Sequence, residues 1–207
     1  VTWSSDVCSS DLVDNASCRR NLPTINTTWS NKVAVLSGDY LLAKGLSLAV
    51  AHRDDHFMAF MTEAAQAMTE GELIQLVHAR QVDLPEDTYL DIIHKKTAQL
   101  WGVCFAIGAT AASKPAAQVA AMRQAGEHVG MAFQIRDDVL DYSSEDIGKE
   151  SGMDLNTGQL TLPIIHALKH ASCSVRTQVS HIIQTTEQSP LQKQTVRDFV
   201  QESGGIA

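Results

Sequence analysis

The segment FQIRDDVLD, Phe133 to Asp141, decides how this chain of 207 residues is read. At roughly 100° per residue on a helix, Gln134, Asp137, Asp138 and Asp141 share a stripe about 100° wide. Asp137 and Asp141 stand one turn apart, with Asp138 beside both. Phe133, Ile135, Val139 and Leu140 flank the stripe with apolar surface, which predicts a largely buried helix. Three like charges on one turn repel, and burial raises their pKa values unless something positive compensates. A hard divalent cation with oxygen ligands answers that need, and magnesium takes one or two carboxylates plus substrate phosphates. A solvated acidic face answers it equally well on spacing alone, so both readings stay open at this point.

Outward from that segment every periodic stretch reads as helix, and none as a convincing strand. Asn31 to about His52 forms one apolar helix, in which Gly38 and Gly45 suggest close contact with a neighbour. A helix from about Asp54 to Met68 and a short one from about Glu70 to Ala79 follow. Pro85 sits where a first-turn proline belongs and opens a long helix that Ser113-Lys114-Pro115 breaks. The acidic segment then lies on a helix from about Ala116 to Tyr142. A polar, glycine-containing loop precedes further helices over about 160–170, 175–186 and 191–201.

Apolar residues make up 44% of the chain and aromatics only 5%, which suits packed helices better than a sheet. A net charge of −8 excludes general affinity for nucleic acid or anionic lipid. Cys8, Cys18, Cys104 and Cys173 show no paired spacing and read as reduced thiols of a cytoplasmic protein. His166 and His170 stand four apart but with Ala167 between, so they read as surface histidines. No apolar run is expected to reach the length of a membrane span.

The first dozen residues resemble nothing in the rest. WSSDVCSSDL, Trp3 to Leu12, reads like a translated sequencing-library adapter, which assigns residues 1–12 to an artefact and 13–207 to one partial domain. The closing ESGGIA has no final helix and reads as cut.

FQIRDDVLDY, followed by GKESGMDLNTGQLTLPII from Gly148 to Ile165, strongly resembles the second aspartate-rich region of trans-type polyprenyl diphosphate synthases. VDNASCRR (Val13 to Arg20) is similar to the tail of that family's first aspartate-rich motif, and SGDYLLAKG and KKTAQL resemble two further family blocks. The resemblance implies an all-α bundle around a central cavity, incomplete here at both ends. It implies an Mg2+-dependent transferase joining isopentenyl diphosphate to an allylic diphosphate, a homodimer when full length, loosely membrane-associated through its apolar product. Asp137, Asp138 and Asp141 would hold the metal, with Asp14 contributing from a facing helix. Lys96 and Thr97 would act at the departing diphosphate, while Arg19, Arg20, Gln134 and Lys149 would bind substrate. The family's first two aspartates fall at Ser10 and Asp11, where Asp11 is read as a chance match with no role, and Gln159 stands where many members carry lysine. This chain alone is therefore expected to be inactive.

GDYLLAKGLSLA leans toward medium- and long-chain members that make quinone side chains, rather than farnesyl or geranylgeranyl synthases. A class I terpene cyclase, a non-catalytic subunit of a heteromeric synthase and a helical scaffold are the competing readings.

Overall fold

Helices account for nearly all the regular structure in the computed structural model, which describes residues 11–13, 16–19, 22–52, 55–142, 157–186 and 188–206. Asp14, Arg20 and Lys149 lie outside the described residues. The chain divides into two units, the first running to Ala59 and the second holding most of the remainder.

In the first unit β1 (Cys18–Arg19) pairs antiparallel with β2 (Leu22–Pro23), a two-residue ladder where no strand was expected. Thr24 is buried behind it and donates its hydroxyl to the Ala16 carbonyl at 2.8 Å. A single turn, α1 (Ile25–Thr28), leads into α2 (Asn31–His52), whose bounds match the sequence reading. Two expectations for α2 are overturned in part or whole. Close contact fails at Gly45, where no atom of the described residues lies within 4 Å of a Cβ position, while Gly38 is buried. The helix is also long and apolar enough to cross a membrane, with a mean hydropathy of 1.4. Lys32, Asp39 and Lys44 interrupt the apolar run without lowering its average far. Leu36, Tyr40, Leu48 and Val50 on it are exposed.

The helix α3 (Asp55–Val77) is unbroken, where a break near Glu70 was expected. Gly71 is spent on close approach instead: a Cβ there would lie 2.8 Å from the Lys96 amide nitrogen. Arg80 ends this region in a left-handed conformation, φ 63°, and its amide donates to Gly158.

The long helix expected after Pro85 is resolved into three pieces: α4 (Glu86–Ile93), a π-helical turn (His94–Ala98) and α5 (Gln99–Ala111). Pro85 occupies the N-cap, with Glu86 and Asp87 in the first turn, where the helix dipole favours acids. Pro115 opens α6 (Ala116–Asp141), which folds back along α5. Their crossing is built from small residues, since a Cβ on Gly126 would sit 2.9 Å from the Gly102 Cα. Then come α7 (Leu162–His170), α8 (Cys173–Gln184) and α9 (Pro190–Glu202), the last opened by a capping box between Ser189 and Gln192. Tyr89, Tyr142, Ile164, Ile183, Val196 and Val200 anchor one apolar core between α4, α7, α8 and α9.

Candidate active site

The site is built on the π-turn. Inserting one residue into a helical ladder locally re-aims side chains, and such turns recur at functional positions. Lys95 turns to Glu70 and Asp91, at 3.0 and 2.9 Å, and first the Asp91 hydrogen bond, then that of Glu70, raises its pKa. Lys96 also reaches α3, at different side chains. Its ammonium stands 2.7 Å from Glu72 Oε2 and donates to Gln75 Oε1 at 3.3 Å.

From Thr97 a chain of hydrogen bonds crosses to α6. The Thr97 hydroxyl donates to Gln134 Oε1 at 2.8 Å, and Gln134 Nε2 donates to Asp138 Oδ1 at 2.8 Å. The Tyr89 hydroxyl donates to the other Asp138 oxygen at 2.6 Å. Each link fixes the next: a hydroxyl proton on one side and a carboxylate on the other leave the Gln134 amide one orientation. Asp138 is only 4% exposed. Burial pushes its pKa up to about 6, against the hydrogen bonds from Tyr89 and Gln134, and Asp137 and Asp141 add repulsion.

Lys96, Thr97, Gln134, Asp137 and Asp138 line one cavity with Tyr89, Gln75, Gln159 and Thr161. Five residues nominated from the sequence are thus brought together by α4, the π-turn and α6. Asp141 lies one turn beyond Asp137 on α6, with its Oδ2 buried, and is not in the cavity wall. Arg19 belongs to the first unit, where its Nε donates to Asp11 Oδ1 at 2.5 Å. Asp11, read as having no role, is buried and holds that guanidinium. His166 and His170 are exposed, as expected, with ring centroids 4.4 Å apart.

The metal assignment divides on this geometry. Among the described residues, no three His, Cys, Asp or Glu side chains converge as a ready cage. Asp138 accepts one protein hydrogen bond on each oxygen, from Tyr89 and from Gln134, and so holds Gln134 in place. Its direction is a consequence of Tyr89, which the helical stripe does not reveal. Asp137 does reach the cavity wall, and one hard carboxylate oxygen beside substrate phosphates fits magnesium's usual donor set. Tyr89, Glu72 and Gln75 escaped the sequence reading because nothing in their local pattern marks a site.

The cavity thus sets lysine, threonine, glutamine and aspartate beside apolar walls. The family model described as polyprenyl synthetase matches residues 7–200, and the chain belongs to that family. It is 39% identical over 198 residues to an all-trans-nonaprenyl-diphosphate synthase (geranyl-diphosphate specific) from Rhodobacter capsulatus, covering 95% of this chain and 60% of that one. With the heptaprenyl diphosphate synthase component 2 of Geobacillus stearothermophilus it shares 38% identity over 160 residues, 76% of this chain and 50% of the relative. A decaprenyl diphosphate synthase structure from Rhodobacter capsulatus superposes with a TM-score of 0.91 at 33% identity, covering 98% of this chain and 63% of that one. A polyprenyl synthase from Caulobacter crescentus, complexed with calcium and isoprenyl diphosphate, gives 0.91 at 30% identity, with 98% and 62% covered. The chain thus spans between half and two thirds of the length of these relatives.

Proposed function

We propose that the protein is a trans-prenyltransferase that condenses isopentenyl diphosphate with an allylic diphosphate, making a chain of medium or long length for a quinone. The observation that carries this reading is the cavity wall in which Lys96 and the Thr97–Gln134–Asp138–Tyr89 chain meet Asp137. The nonaprenyl, heptaprenyl and decaprenyl activities in the names of its relatives support the product length.

The allylic carbon–oxygen bond breaks with its electron pair leaving on pyrophosphate. Lys96 sets a positive charge beside that leaving group, and charge placed where charge develops is the main source of such catalysis. Thr97 has its proton engaged by Gln134, so its oxygen turns lone pairs toward the allylic cation. Asp138 and Tyr89 keep the Gln134 amide from rotating. The double bond of isopentenyl diphosphate then forms the new carbon–carbon bond, and the proton lost passes to the released pyrophosphate. Asp137 would hold magnesium, which when bound would neutralise the diphosphate charge. The calcium and isoprenyl diphosphate bound by the Caulobacter relative support that assignment. Arg19, Arg20, Lys149, Asp14 and Asp141 are proposed to complete substrate and metal binding. The protein works in the cytoplasm as a homodimer, for which the exposed apolar side of α2 is the support.

The test is elongation by the full-length gene product. Labelled isopentenyl diphosphate, geranyl diphosphate and Mg2+ are supplied, and the products are separated by length. Products from heptaprenyl to decaprenyl length are expected; no elongation with any allylic primer sinks the reading. A second reading, a non-catalytic subunit of a heteromeric synthase, draws on the relative named as component 2. Elongation appearing only on addition of a second polypeptide selects it.

A further inference from the structure

Lys96 is gripped by two side chains of α3 that the mechanism above does not use. Glu72 and Gln75 stand three apart, on one face of the helix, and both reach the ammonium. The approach is possible because Gly71, beside them, lets the α3 backbone press on the π-turn. The amide of Gln75 has one orientation here. An ammonium only donates, so the Gln75 oxygen faces Lys96 and the NH2 faces elsewhere. Among the described residues that buried nitrogen has no hydrogen-bond partner, and neither does the buried Glu72 Oε1. Buried donors are nearly always satisfied, so an amide left without an acceptor on a cavity wall calls for a ligand.

We propose that Gln75 is a substrate-contacting residue whose amide N–H donates to a phosphate oxygen of the allylic diphosphate, with Glu72 positioning Lys96 for the same group. The assignment rests on the synthase reading and deepens it. At rest Glu72 balances the Lys96 charge, which would otherwise stand uncompensated on the cavity wall. When diphosphate enters, the ammonium gains a second anionic partner without leaving Glu72, and the Gln75 amide gains its missing acceptor. A phosphate oxygen is the ligand atom that suits both, since it accepts from an amide and attracts an ammonium.

Two variants of the full-length protein test this, with binding of inorganic pyrophosphate in the presence of Mg2+ followed by calorimetry. Gln75→Glu keeps an acceptor for Lys96 but puts a carboxylate oxygen where the amide nitrogen was. Gln75→Leu removes the donor without adding charge. Pyrophosphate binding is expected to weaken about tenfold in Gln75→Leu and further in Gln75→Glu. The KM for the allylic diphosphate should rise in parallel, with kcat changed less. Circular dichroism checks that each variant is folded, and if Gln75→Glu is not, Gln75→Leu carries the test. Folded variants that bind pyrophosphate as tightly as the parent overturn the assignment while leaving the synthase reading intact. A parent protein that neither binds pyrophosphate nor elongates a primer overturns both.

Discussion

Asp138 is where burial and charge conflict most sharply in this chain. Its carboxyl is raised from 3.8 to about 6, so the folded state holds the proton more tightly than the unfolded one. The stability this contributes is fully present below pH 3.8 and is lost as pH rises through 6. At neutral pH the burden is on the order of 3 kcal/mol, from roughly two pKa units. Asp138→Asn should therefore raise the neutral-pH Tm and flatten the pH dependence of stability between 4 and 6, measured with a chelator present. A variant as pH-dependent as the parent would place the conflict elsewhere. The same substitution leaves Gln134 Nε2 facing a neutral amide, so activity should fall even as stability rises. Lys96 presents the opposite case, a charge that the proposed mechanism assigns to the leaving group. Lys96→Gln should lower kcat on the order of a hundredfold in the elongation assay, and a change of less than about threefold would remove it from the mechanism.

Among the elements, the π-turn matters most, because it points Lys95 away from the cavity and Lys96 and Thr97 into it. Its position depends on α3 coming within contact of the Lys96 backbone at Gly71. A methyl group there meets backbone, which cannot swing aside as a side-chain tip can. Gly71→Ala should cost about 1–3 kcal/mol in urea unfolding, and it should lower activity more than that loss explains because Lys96 moves with the turn. Wild-type kinetics in a folded Gly71→Ala protein would show that the turn tolerates displacement. A control belongs at α9, far along the chain from the π-turn. Ser189→Ala removes the capping box and should cost about 1 kcal/mol, with kcat unchanged.

At the scale of the whole molecule, the second unit is tied together by contacts between residues far apart in the chain. Arg80, left-handed and outside any helix, donates through Nη1 to the carbonyls of Ile183 and Thr185 at the end of α8, 2.9 and 2.8 Å away. It closes orphaned helix carbonyls with a charged donor more than a hundred residues distant. Arg80→Ala should destabilise the full-length protein by about 1.5–3 kcal/mol, read as a shift in the urea midpoint. The exposed apolar row on α2 bears on assembly. If the full-length protein is the proposed homodimer, Leu36→Lys should shift it toward monomer in sedimentation, and an unchanged dimer would place the interface on another surface.

What the sequence determined by itself is the all-α class, most helix positions, the family and five residues of the cavity wall. These follow from local periodicity, from Pro85 and Pro115 as start signals, and from motifs whose residues keep a fixed order. What only the tertiary structure decided involves a partner supplied from elsewhere in the chain. The step from Met68 to Glu70 reads as a break until α3 is seen unbroken with Gly71 against the π-turn, and KKTAQL reads as plain α-helix until packing inserts the extra residue. Asp138 reads as one of three equivalent acids on a stripe until Tyr89, 49 residues away, is seen to donate to one of its oxygens. Helical phase fixes which face a side chain leaves from; what it meets there depends on chain crossings that no local pattern encodes.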